Sequence, residues 1–117
     1  MKEIIKNRTQ KFAIDCWDLC SKFPKSREFD AYCRQLIRCS SSVGANYRAA
    51  CRAKSNADFI NKLKIVEEEV DESMYFLEMF LIISDKEHQE INRLLKEANE
   101  LLSIVVASIK TMRNKKV

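Results

Sequence analysis

Glycine and proline each occur once in the chain, as Gly44 and Pro24. Hairpins, bulged strands and tight turns draw on those two residues for the positive or fixed φ their backbones need. A chain of 117 residues almost without them has little choice but long helices joined by short connections. The expected class is all-α, and the length suits one domain with a full core. Four apolar periodicities divide that single domain, 1–117, at about residues 3–22, 27–53, 55–83 and 85–113. Helices of this size and spacing favour an antiparallel up-down four-helix bundle.

The punctuation supports this division. In the first helix Ile5, Phe12, Cys16, Leu19, Cys20 and Phe23 recur at helical spacing, with Trp17 on the flank. The pattern stops at Phe23-Pro24, because the residue before proline is pushed out of the α region. Ser26 offers an N-cap for the second helix. Ser55 to Asp58 reads as a capping box for the third, and Ser84 to Glu87 as one for the fourth. The third helix has a core stripe of Phe59, Leu63, Val66, Val70, Met74, Leu77 and Leu81. Beyond Ser73 it becomes apolar all round, through Tyr75, Phe76, Met79, Phe80 and Ile82. A helix of that kind needs burial on more than one side, so these five residues are expected to form a homo-oligomer interface. In the fourth helix Ile91, Leu94, Leu95, Ala98, Leu101, Leu102, Val105, Ile109 and Met112 approach a heptad seam.

The second helix has two contrasting faces. At about 100° per residue, Arg34, Arg38, Arg48 and Arg52 fall within about 40° of one line. Tyr32, Leu36, Cys39, Val43, Tyr47 and Ala50 gather on the opposite side. Lys54 extends the stripe. Two readings of these arginines stand side by side. They can present guanidinium forks to phosphates along about 27 Å of helix edge. They can also be consumed by third-helix acids such as Glu68 and Glu72, which would leave a structural or adaptor oligomer. Interior Gly44 costs on the order of 1 kcal/mol against alanine, so a close backbone approach or a local bend is expected there.

Charge is unevenly placed. Residues 1–55 hold 12 Lys/Arg against 5 Asp/Glu, a net of +7, whereas residues 56–109 hold 5 against 12, a net of −7. The tail adds Lys110, Arg113, Lys115 and Lys116 without an acid. Such asymmetry admits an anionic partner, and it also admits attraction between the two halves.

Other chemistry finds little support. Glu67, Glu68, Glu69, Asp71, Glu72 and Glu78 cluster on one helix, and His88 lacks a glutamate three residues before it. Bundle metal sites need acids on all four helices and paired Glu-x-x-His motifs, so no metal and no cofactor are expected. No base stands ready for a Ser or Cys nucleophile, and a single glycine cannot build a phosphate loop. The reading is of a non-enzyme. The five cysteines (16, 20, 33, 39 and 51) are odd in number and contain no C-x-x-C. They read as small buried hydrophobes, with redox or metal roles a minor alternative. Lys6, Asn7 and Arg8 follow Ile4 and Ile5 at once, which argues against a signal peptide. The longest apolar run, 74–83, contains Glu78 and is too short to span a bilayer. A soluble cytoplasmic protein is expected.

The run from Ser42 to Glu78 closely resembles a bacterial four-helix bundle protein family. That family includes proteins encoded by intervening sequences in 23S ribosomal RNA genes, and the accessory variability protein of diversity-generating retroelements. The S-[VI]-x-A-N pattern matches at Ser42, Val43, Ala45 and Asn46, and S-x-x-[DE]-F matches at Ser55, Asp58 and Phe59. Many relatives carry proline where this chain has Gly44. The resemblance implies a compact bundle, often a ring-shaped homopentamer with a basic surface and no catalytic residues. Expected partners are its own copies, RNA or DNA, or a reverse transcriptase-like nucleoprotein, without a membrane. The residues expected to touch nucleic-acid backbone are Arg34, Arg38, Arg48, Arg52 and Lys54, with Lys110, Arg113, Lys115 and Lys116 assisting.

Overall fold

A computed structural model provides the structure, and it describes residues 1–115. Among these residues there are four α-helices and no strand: α1 (Lys2–Cys20), α2 (Arg27–Cys51), α3 (Asn56–Ile83) and α4 (His88–Asn114). At 1.5 Å per residue even the 19-residue α1 is about 28 Å long. The body measures 51 × 20 × 20 Å, so every helix must lie along its long axis. In space α2 packs on α1 and α3, and α4 packs on α3 and α1.

Local chemistry sets the helix starts. Ser26 Oγ accepts from Phe29 N at 3.1 Å, and Ser55 Oγ accepts from Asp58 N at 3.0 Å, as the capping residues foretold. The third cap is different. Ser84 Oγ accepts from Lys86 N at 3.1 Å and closes a turn, and α4 begins only at His88. The residue before it, Glu87, has φ 63°, a left-handed backbone that a glutamate adopts at a cost. The expected capping box over Ser84 to Glu87 is therefore not formed.

The core follows a stricter repeat than the sequence pattern suggested. Its centre line in α3 is Leu63, Val66, Val70, Ser73, Leu77 and Phe80, alternating steps of three and four. In α1 it is Ile5, Thr9, Phe12, Cys16 and Leu19, and in α4 Ile91, Leu94, Ala98, Leu101 and Val105. This is the 3.5-residue spacing of coiled-coil packing. Met74 and Leu81, expected on the α3 centre line, pack only on its flank. The line instead passes through Ser73, a polar residue. Its hydroxyl donates to Glu69 O at 2.8 Å, so it enters the core without an unmet hydrogen bond. Thr9 and Ser40 do likewise, to Lys6 O and Ile37 O.

Phe80 corrects the proposed oligomer face. It is 0% exposed and stacks on Phe23 with centroids 4.4 Å apart, with Phe29 and Tyr32 around it. Its heptad position turns it into its own core, so it has no surface to offer a second copy. Phe76 is half-buried against Tyr32, and Met79 is also half-buried. Of the five, Tyr75 (57% exposed) and Ile82 (79%) are true surface residues.

Candidate nucleic-acid interface

The arginine stripe divides into paired and unpaired members. Arg38 reaches α3, where it pairs with Glu72 and approaches Glu69 at 3.7 Å. Arg34, Arg48, Arg52 and Lys54 are exposed and form no ion pair with any described carboxylate. The packing register of α2 on α3 explains the split. Ser73 Oγ lies 3.3 Å from Cys39 Sγ, and Ser42 Oγ donates to Glu69 at 3.0 Å. Moving up α2 by three residues, from Cys39 to Ser42, thus moves down α3 by about one turn, from Ser73 to Glu69. The acids between Glu67 and Glu72 come level with the middle of α2, and Arg48 comes level with the neighbourhood of Lys64, where α3 is basic. The expected internal pairing is therefore made by Arg38 and, among the described residues, not by Arg34, Arg48 or Arg52.

Packing also gathers cations that are far apart in sequence. Lys2 Nζ sits 5.4 Å above the Phe59 ring, which ties the start of α1 to the start of α3. Met1, Phe59, Ile104, Thr111 and Met112 share one groove, which adds the last turns of α4 to the same end. Lys110 and Arg113 line a second groove with Lys64 and Glu67. Lys6 and Arg48 line a third, of about 510 Å³, between α1 and α2. One end of the rod therefore carries Lys2, Lys6, Arg48, Arg52, Lys54, Lys64, Lys110 and Arg113, with Lys115 at the close of α4. Glu3, Asp58 and Glu67 are the acids among them. Arg34 lies outside this group, more than a turn beyond Arg38. Lys116 lies outside the described residues. Lys2, Lys6 and Lys64 were not singled out from the sequence, because nothing along the chain shows that they share an end with Arg48. A cationic surface of this kind raises the local concentration of polyanions and contacts phosphates without reading bases.

The S-V-G-A-N segment has a packing role. Asn46 Nδ2 donates to Ser42 O at 2.9 Å and to Ser42 Oγ at 2.8 Å, while the Ser42 hydroxyl donates to Glu69. Val43 is fully buried. A Cβ on Gly44 would stand 3.3 Å from Thr9 Oγ1 and 3.5 Å from Thr9 C, so glycine is what lets α1 approach. That is the close approach expected there. The segment locks α1, α2 and α3 together.

The remaining candidates are placed as follows. Burial pushes the Cys16 thiol up to about 12 and also raises that of Cys39, which suits core residues. Among the described residues no group of three His, Cys, Asp or Glu side chains is arranged to hold a metal ion. No described helix is long and apolar enough to cross a membrane.

Comparison with known proteins places the chain. Curated proteins give no match. Among solved structures it is similar to a protein of unknown function from the S23 ribosomal protein family of Bacteroides thetaiotaomicron VPI-5482. The two share 29% identity at a TM-score of 0.85, covering 94% of this chain and 99% of that one. The sequence profile described as 23S rRNA-intervening sequence protein matches residues 1–107. The chain therefore belongs to the 23S rRNA-intervening sequence protein family.

Proposed function

We propose that this chain is a non-enzymatic, cytoplasmic, antiparallel up-down bundle that grips nucleic-acid backbone through its cationic end. The observation that supports this most is the set of exposed cations whose side chains form no ion pair with a described carboxylate: Arg48, Arg52, Lys54, Lys110 and Arg113. Each acts as a phosphate clamp, so binding is indifferent to base sequence and sensitive to salt. Exposed Tyr75 and Ile82 on α3, with Trp17 on α1 (59% exposed), favour self-association, and a pentameric ring would set several cationic ends side by side. RNA or DNA, alone or within a reverse transcriptase-like nucleoprotein, is the partner this reading names.

The test is a titration of labelled RNA at rising salt. The logarithm of affinity should fall linearly with the logarithm of salt, and Arg48→Glu/Arg52→Glu should reduce that slope by about 1.4 to 1.8. Affinity that ignores salt, or a double variant that binds like the parent, refutes the reading. The rival is a protein adaptor, favoured by the one arginine already tied to Glu69 and Glu72.

A further inference from the structure

All five cysteines lie in α1 and α2, and two of them face one another across the seam between these helices. Cys20 closes α1, and Cys33 sits in the second turn of α2. Cys20 Sγ lies 3.8 Å from Cys33 O, and Cys33 Sγ lies 3.9 Å from Cys20 O. That reciprocal contact sets the two residues side by side across the helix–helix seam, with both thiols free. Cys16 and Cys39 are 0% exposed and beyond the reach of solutes, and Cys51 closes α2 at the other end of that helix from Cys33. Cys20 is half-buried and Cys33 is 9% exposed, next to the only turn that contains a proline.

We infer that Cys20 and Cys33 form a redox-active dithiol that a small hydroperoxide oxidises to a disulfide, stapling the end of α1 to α2. Each S–H is directed at the other residue's carbonyl oxygen, so the contact is symmetric and brings the two sulfurs to the same seam. One thiol of the pair, as thiolate, is the nucleophile. Its sulfur attacks one peroxide oxygen, the O–O bond breaks, and the departing hydroxide or alkoxide takes the proton that this thiol gave up. That cysteine is left as the sulfenic acid. The sulfur of the other cysteine then attacks it, the S–O bond breaks, and the hydroxide leaves as water with the second thiol's proton. Two thiols give up two electrons to one hydroperoxide. The inference stands apart from nucleic-acid binding, because the pair lies at the opposite end of the rod from Arg48 and Arg52.

The test exposes the native full-length protein to equimolar hydrogen peroxide, then counts thiols after denaturation and maps the tryptic peptides. Free thiols should fall from five to three, with a mass loss of about 2 Da. Trypsin cuts at Lys22 and Arg27, so the product should be two peptides joined through Cys20 and Cys33. Dithiothreitol should restore all thiols, and the oxidised form should melt about 5–10 °C higher. Cys51→Ser should oxidise like the parent and Cys20→Ser should lose the linkage, with circular dichroism checking that both are folded. Should both thiols stay free in the folded parent, or should the linkage join two chains or involve Cys51, the inference is wrong.

Discussion

At the end where α1 turns into α2, Phe23, Phe29 and Phe80 stack with centroids 4.4 to 6.3 Å apart, closing the core with aromatic surface. At the end where α2 turns into α3, the exposed residues are Arg48, Arg52 and Lys54, joined by Lys110 and Arg113 from α4. The same heptad line runs through both ends, and at the first it finishes in Phe80, which gathers Phe23 and Phe29 around it in the core. At the other end the exposed positions carry charges that must stay hydrated. The aromatic end should therefore govern stability and the cationic end should govern binding, each with little effect on the other.

The sharpest way to break this contrast is Phe80→Ala. Removing a fully buried ring stacked on Phe23 should cost about 3–5 kcal/mol in urea unfolding, whereas the salt slope of RNA binding should not change in protein that remains folded. The converse variant, Arg48→Glu/Arg52→Glu, should alter stability by no more than about 0.5 kcal/mol. If either substitution moves the other property by a comparable amount, the two ends are coupled and the division fails.

A smaller effect concerns acid. Arg93 bonds Glu90 at 2.7 Å and Asp15 at 2.8 Å, tying α4 to α1. The Arg93 hydrogen bond holds the Glu90 carboxyl below its ordinary range. Asp15 is also lowered: burial works to raise it, and bonds from Lys11 and Arg93 outweigh that. A carboxyl depressed in the folded state binds more protons when unfolded, so its contribution is full above the unfolded value and is lost as pH falls through the folded one. Stability measured downward from about pH 5 should therefore fall less steeply in Arg93→Ala, which should cost about 1 kcal/mol or less at neutral pH. An acid limb identical to the parent's would show that these bonds contribute nothing. The smallest expected effect is at Glu87. Asparagine tolerates the left-handed backbone better, so Glu87→Asn should stabilise by about 0.5 kcal/mol, read as a small rise in Tm.

Much of the helical layout was legible along the chain, because caps and apolar spacing act locally. Ser26 and Ser55 declare themselves by residue type, and Leu36, Val43, Leu94 and Leu101 by periodicity. The centre line of α3 was harder to see, since Ser73 satisfies its hydroxyl on its own helix and so occupies a core position without an apolar side chain. Phe80 was misassigned for the same reason: shifting the line from Ser73 to Met74 turns Phe80 outward. The arginine stripe was visible as a pattern, but its division into a paired Arg38 and unpaired Arg48 and Arg52 was not.

Composition and periodicity alone determined that this protein is made of four long helices, since a chain so poor in glycine and proline with apolar residues every three or four positions can bury them in few other ways. Tertiary packing alone decided which charges meet. The register of α2 against α3 sets acids beside Arg38 and basic residues beside Arg48, and the gathering of four helix ends brings Lys2, Lys64 and Lys110 to one place. Coulomb interactions depend on distance in space, and distance in space is what a linear sequence does not carry.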